Sequence, residues 1–163
     1  MSRIVVVSDT HARRAAELPE GILAAIREAD ILVHCGDYVG LTLLKELRQL
    51  SRRFLGVYGN ADPGEVRRLL PAVATLPIEG HTIAVTHPYW GEHPDGLECE
   101  LAARFPDADA ILFGHSHETC NRTLDGTLLL NPGQGYASFM VPASYAVLTV
   151  TRDGIQGEVR ICT

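Results

Sequence analysis

Short apolar runs punctuate this chain, and five of them end abruptly in Asp, Asn or His: VVV-SDTH, LVH-CGD, GVY-GNAD, IAV-TH and ILF-GHSH. Residues 3–7 (RIVVV) read as a buried strand because three valines follow one another without polar alternation. Pro19 and Glu20 open a helix over 19–28, with proline suited to the first turn. Ile31 to His34 is a second buried strand, residues 41–50 (LTLLKELRQL) have helical spacing, and Phe54 to Val57 form the next strand. This strand–helix–strand–helix–strand order predicts parallel pairing with helices covering the sheet.

The second half is patterned differently. Val73–Ile78 and Thr82–Thr86 are strand-like and meet at Glu79-Gly80-His81, a hairpin that leaves His81 solvated. A helix is expected over 97–105 and a short buried strand over Ala110–Phe113. Thr119–Leu124 and Thr127–Leu130 flank a turn at Asp125-Gly126, and Ser144–Thr151 and Ile155–Ile161 flank Arg152-Asp153-Gly154. The expectation is α/β first and mostly antiparallel β last, as two packed sheets with helices outside.

The 163 residues fit one domain spanning 1–163, with no repeat, low-complexity tract or linker. No apolar run approaches the roughly 20 residues of a membrane helix. The short apolar stretch near the start breaks at Ser8, Asp9 and His11, which is no signal peptide. The four cysteines form no C-x-x-C pair, so a zinc knuckle is not expected. The missing signal predicts a reduced, cytoplasmic setting, with which the cysteines are compatible. The net charge of −6 argues against extended nucleic acid as a partner. A small phosphorylated substrate stays open, because bound metals supply positive charge locally.

The chemistry gathers at the strand ends, where open α/β sheets place their ligands. Asp9 and His11, two apart, would face the same way if the first strand continued. Gly36, Gly59 and Gly114 stand where the backbone must turn sharply. Singly, Asp9, Asp37 and Asn60 are ordinary turn or cap residues and His87 an ordinary loop histidine; His115 and His117 are the pair that most suggests metal. Together, four histidines, two aspartates and one asparagine offer oxygen and imidazole donors that suit Mn, Fe, Co, Ni or Zn. Seven side chains exceed one tetrahedral site of about four ligands. A carboxylate is the type here able to bridge two cations, so a binuclear centre follows.

The ordered set SDTH, GD, GNAD, TH and GHSH resembles the calcineurin-like metallophosphoesterase superfamily. The GN-x-D form resembles its compact bacterial and archaeal phosphodiesterases, a branch that also includes the retromer scaffold subunit of eukaryotes. Asn131-Pro132-Gly133 matches a late family loop. The resemblance implies a four-layer α/β/β/α sandwich, with two mixed sheets flanked by helices. It implies that Asp9, His11 and His117 hold one divalent ion, that Asn60, His87 and His115 hold the other, and that Asp37 bridges them. Manganese stands first among the candidate ions, with nickel, cobalt, iron and zinc as alternatives. Catalysis then rests on Asp37, Asn60 and His87, with a metal-bridging hydroxide attacking a small organic phosphodiester. The alternatives are a phosphomonoesterase on the same site and a catalytically silent protein-interaction scaffold. A homo-oligomer is compatible with all of these.

The chain departs from the family pattern in three places. His87-Pro88-Tyr89-Trp90 replaces a common His-Gly-His, Ala61 stands where the phosphatase branch has a general-acid histidine, and Gln134 stands where Ser is common. Five further residues have two readings each. His34 is a core histidine or a neighbour of the ligands, and Asp62 orients a ligand histidine or merely makes a turn. Tyr89 and Trp90 line a cleft or pack on their own loop, and His93 substitutes for the missing family histidine or is a plain loop residue.

Overall fold

In the computed structural model, residues 1–90 and 96–163 are described. Ten strands and four α-helices follow one another as β1 (Ser2–Val7), α1 (Glu20–Glu28), β2 (Ile31–His34), α2 (Leu41–Leu50), β3 (Phe54–Gly56), α3 (Gly64–Leu69), β4 (Val73–Ile78), β5 (His81–Thr86), α4 (Leu97–Arg104), β6 (Ala110–Phe113), β7 (Thr119–Leu124), β8 (Thr127–Pro132), β9 (Ser144–Thr151) and β10 (Gly154–Ile161). One 3-10 turn, Ala15–Glu17, precedes α1. No helix among the described residues is long and apolar enough to cross a membrane.

The strands form two mixed five-stranded sheets, ordered β10-β9-β1-β2-β3 and β4-β5-β6-β8-β7. Their inner faces meet. Ile4, Val6, Ile31 and Val33 pack against Ile83, Val85, Leu112 and Leu130 in one buried cluster. The outer face of the first sheet, through Val5, Val7 and Leu32, packs on Ile22 and Ile26 of α1 and on Leu43, Leu44 and Leu47 of α2. The outer face of the second, through Ala84, Ile111 and Leu129, packs on Leu101 of α4 and on Phe105. Both faces of β1 are therefore covered, which is why its core residues read as an unbroken apolar run.

The expected α/β/β/α sandwich is present, with three local differences. The second half is mostly antiparallel, as expected, but it also holds two parallel pairs, β5 with β6 and β6 with β8. The antiparallel pairs are the hairpins β4/β5, β7/β8 and β9/β10, together with β1/β9. Helix α3 carries no expectation from sequence, because its six residues bury only Val66 and show no apolar face. His81 is not a solvated turn residue. It begins β5, and its Nε2 lies 3.0 Å from the Thr151 carbonyl of the other sheet.

Parallel pairing decides where the polar loops emerge. Val7 sits beside His34, His34 beside Gly56, and Thr86 beside Phe113. The strand ends are thus level, and the loops that leave them lie together at one edge of the sandwich.

Candidate metal centre

Each candidate ligand follows a level strand end: Asp9 and His11 after β1, Asp37 after β2, Asn60 after β3, His87 after β5, and His115 and His117 after β6. The strands do not continue through them. Asp9, His11, Asp37, His115 and His117 all have positive φ, from 43° to 82°. Asp9 and His11 therefore point inward from left-handed turns, not from alternate places on one strand as expected. Asp and His tolerate this region better than β-branched residues, yet each such residue costs roughly 1–3 kcal/mol. The turns are held by neighbours: Asp9 N–H donates to the Gly36 carbonyl at 2.9 Å, and His11 N–H to that of Asp37 at 3.2 Å.

The three glycines serve different ends. Gly36 has a φ of 104°, and a Cβ there would stand 2.6 Å from His87 Nδ1. Gly59 and Gly114 need no special φ; they keep side-chain volume away from Asp37 and from Ser8 and Asp9. Close approach, more than turning, explains these two.

The acids form a buried floor and the other donors rise around it. Asp9 is fully buried and Asp37 nearly so. Asp9 Oδ2 accepts from Ser8 Oγ at 2.6 Å and from His115 N–H at 3.0 Å. Asp9 Oδ1 has no hydrogen-bond donor. It lies 3.3 Å from His117 Nε2 and 4.0 Å from His87 Nε2. Asp37 Oδ1 accepts the Ala61 N–H at 2.8 Å. Asp37 Oδ2 lies 3.4 Å from His87 Nε2 and 3.6 Å from His11 Nε2. Asn60 Oδ1 is 3.0 Å from both His87 Nε2 and His115 Nδ1. Two sets of potential ligand atoms converge to within 4.8 Å, Asp9/His11/His117 and Asp9/Asp37/His87.

The tautomer of His87 tests whether a cation suits this cluster. Its Nδ1 lies 2.7 Å from the Cys35 carbonyl, which only accepts, so Nδ1 carries the hydrogen. In the neutral ring, Nε2 then turns a lone pair toward Asn60 Oδ1, Asp37 Oδ2 and Asp9 Oδ1, which are also electron-rich. A proton or a metal ion is needed to make that convergence favourable. Together with the donor-free Asp9 Oδ1, this arrangement fits divalent cations.

The titration of the metal-free cluster follows the same logic. Burial pushes the Asp9 carboxyl up, but His117, His87 and Ser8 outweigh it and hold it below its ordinary range. Asp37 is likewise lowered, its burial overcome by His87, the Ala61 N–H and His11. Burial alone would lower His87, yet Asp37 and Asp9 raise it above the usual imidazole value. Asp9 is the main cause of the raised value of His117. His115 is lowered, first by burial and then by His87.

A second ring of residues holds this cluster. Asp62 touches no ligand histidine; its carboxylate accepts the backbone N–H groups of Asp37, Tyr38, Val39 and Gly59 at 2.8–2.9 Å. It thereby pins the Asp37 loop to the Asn60 turn. Burial pushes the Asp62 carboxyl up even against these donors. From the other side, Arg67 of α3 donates to the carbonyls of Asp62 and Asn60, each at 2.9 Å. His34 lies beneath, stacked on Tyr38 with ring centroids 3.7 Å apart. Its Nδ1 accepts the Gly36 N–H at 3.1 Å, and its Nε2 lies 3.0 Å from Thr10 Oγ1. Burial lowers its pKa to about 3, so it is a neutral support.

Of the remaining sequence candidates, Trp90 packs against the α4 cluster with Arg104 stacked 3.6 Å over its ring, while Tyr89 stays exposed. His93 lies outside the described residues. Ser8, Gln134 and Tyr136 also touch the candidate ligands, and Arg67 braces the Asn60 turn, contacts that the sequence does not predict. Ser8 and Arg67 are common residue types in ordinary places, so no sequence signal marks them. The departure at Gln134 was visible, without its meaning.

Comparison with known proteins agrees with the geometry. A model of the calcineurin-like phosphoesterase superfamily domain matches residues 2–153. A phosphodiesterase of Methanocaldococcus jannaschii is 26% identical over 148 residues, covering 81% of this chain and 83% of that protein. A Thermotoga maritima protein solved by solution NMR is 36% identical, with a TM-score of 0.76 and 99% of each chain covered. Vacuolar protein sorting 29 of Cryptosporidium parvum shares the fold at a TM-score of 0.78, with 19% identity and 98% of each chain covered. With the family model spanning nearly the whole chain over a cluster of metal-type donors, this protein belongs to the calcineurin-like phosphoesterase superfamily and is a metal-dependent phosphoesterase.

Proposed function

We propose that this protein is a binuclear phosphodiesterase acting on small organic phosphodiesters, with Mn²⁺ as its first-choice ion. The observation that carries the reading is the pair of buried carboxylates set among imidazoles. Asp9 Oδ1 lacks a donor, and Asp37 Oδ2 lies between His87 and His11. Asp9, His11 and His117 would hold one ion, Asn60, His87 and His115 the other, and Asp37 would be shared. Bound there, two divalent ions supply charge neutralisation at the phosphoryl oxygens and acidify the attacking water.

The chain's own residues set the rest of the chemistry. Asp9 and Asp37 stay ionised, because His117, His87, His11 and backbone donors hold their carboxyls low. Ala61 contributes a backbone N–H to Asp37 and presents only a methyl group outward. No acidic side chain at this turn protonates the leaving oxygen. A concavity of about 330 Å³ beside His117, lined partly by Val141, Pro142 and Ile161, offers apolar surface to an organic ester arm. Four free thiols suit a reducing, cytoplasmic setting.

A test uses wild-type protein loaded with Mn²⁺ and a series of aryl phosphodiesters. Two ions per chain by elemental analysis and rates that fall steeply with rising leaving-group pKa are expected. Saturation at one ion per chain would overturn the binuclear reading. A flat leaving-group series would show that another acid serves the reaction. Absence of ester hydrolysis by protein holding both ions would favour a protein-interaction scaffold.

A further inference from the structure

Gln134, just past β8, is a buried polar side chain that the reading above does not use. Its backbone is fixed on two sides. The Gln134 carbonyl accepts the Ser144 N–H at 2.9 Å, and Gly135 N–H donates to the Ser8 and Asp9 carbonyls at 2.9 and 3.2 Å. The side chain thus starts from a point tied to the loop that carries Asp9.

The orientation of its amide follows from its partners. One end lies 2.8 Å from the Tyr136 carbonyl oxygen and 3.1 Å from Ser138 Oγ. A carbonyl oxygen only accepts, so this end is the NH₂ group. The amide oxygen therefore faces His117 Nδ1, 3.3 Å away. That oxygen in turn only accepts, so His117 Nδ1 carries the hydrogen. Nε2 faces the donor-free Asp9 Oδ1 at 3.3 Å; without a cation that carboxylate draws a hydrogen to Nε2 as well, and with one Nε2 turns its lone pair to the ion.

We propose that Gln134 is a positioning residue that fixes His117 as the Nδ1–H tautomer and so presents Nε2 as the metal donor. The same amide secures the start of the 136–141 segment. The Tyr136 ring in that segment lies edge-on to His11 and His117, with centroids 5.5 and 6.1 Å away. Gln134 thereby couples the orientation of one ligand ring to the aromatic wall beside two of them. Partners of this kind on a ligand's remote nitrogen typically change metal affinity about 10–100-fold when removed. The inference rests on the metal role proposed for Asp9, His11 and His117.

The test begins with wild-type protein saturated with Zn²⁺, a diamagnetic stand-in for Mn²⁺, because without a cation Asp9 competes for the hydrogen on Nε2. Long-range ¹H–¹⁵N NMR of the histidine side chains, with His117 assigned by its absence in His117→Ala, reads the tautomer directly. The Nδ1–H pattern is expected. Gln134→Met keeps length but loses the acceptor; it should weaken one of two Mn²⁺ sites by about 10–100-fold and speed solvent exchange of the His117 Nδ1–H. Gln134→Glu keeps an acceptor and should retain both the tautomer and the metal affinity. An Nε2–H pattern in wild type, or wild-type Mn²⁺ binding by Gln134→Met, would overturn the role of Gln134 alone. Failure of the wild-type chain to bind Mn²⁺ would overturn the proposed function itself. The wild-type spectrum decides the tautomer even where a variant does not fold.

Discussion

The two sheets equip the site unequally. The first sheet delivers every oxygen ligand candidate, Asp9, Asp37 and Asn60, with His11 at the rim; the second delivers only imidazoles, His87, His115 and His117. The oxygen side sits in a mesh of backbone donors. Asp37 takes the Ala61 N–H, Asp9 takes that of His115, and Asp62 alone takes four. The imidazole side is held more lightly: His87 by the Cys35 carbonyl, His117 by Gln134, and His115 by its contact with Asn60. The difference is physical. A buried carboxylate needs several donors to offset lost hydration, whereas a neutral imidazole needs one partner to set its tautomer. The oxygen side should therefore couple metal binding to fold stability, and the imidazole side should separate them.

The largest expected effect comes from the shared acid. Asp37→Ala should remove most bound metal and lower activity by on the order of 10³-fold or more. Elemental analysis beside a phosphodiester assay measures both. Retention of two ions by this variant would end the idea that the oxygen side holds the pair together.

Next is Asp62→Ala, which removes no ligand but leaves four backbone N–H groups without their acceptor. An unsatisfied buried donor costs about 1–3 kcal/mol, and water entering the gap recovers part of it. A loss of about 3–5 kcal/mol in urea unfolding of the metal-free protein is expected. His117→Ala should cost within about 1 kcal/mol in the same assay, because its partly exposed ring has one side-chain hydrogen bond. Equal losses would erase the contrast between the sides.

A smaller effect is expected in the pH dependence of metal-free stability. His87 and His117 have raised values in the folded state. Their contribution is complete below about pH 6.5 and fades as pH rises through those folded values. His34 runs the other way: lowered to about 3, it stabilises above about pH 6.5 and loses that contribution as pH falls toward 3. Stability without metal should therefore peak near about pH 6.5. Saturating Mn²⁺ should remove the alkaline decline, because the ion replaces the protons on the imidazole side. Thermal midpoints from pH 5 to 9, with chelator and with Mn²⁺, test this. A chelated midpoint still climbing at pH 8 would contradict the raised histidines.

The smallest change is expected at Ala61, on the oxygen side but outward-facing. Ala61→His leaves the N–H to Asp37 in place and adds an imidazole where a leaving oxygen departs. It should flatten the leaving-group series, gaining up to about 10²-fold on the poorest leaving groups and little on the best. Unchanged slopes would place Ala61 away from the departing oxygen.

Much of this molecule was written locally. The apolar runs of β1, β2 and β6 needed no partner to be read, since strands covered on both faces lose their polar alternation. The seven candidate ligands were visible as Asp, Asn and His just past the apolar runs of β1, β2, β3, β5 and β6. What sequence could not carry was anything set by contact between distant segments. Parallel pairing of β6 with β8 depends on register across the sheet, and the pairing of β9 with β1 closes over nearly the whole chain. Left-handed turns at five candidate ligands appear only in the folded chain, where loops from both sheets crowd around Gly36, Gly59 and Gly114. Asp62 looked like a turn residue or a histidine's partner, and became the acceptor for a loop 25 residues away. Residue types and their order decided which donors exist; only packing decided which atoms face one another, because hydrogen-bond partners and tautomers are properties of pairs brought together by the fold.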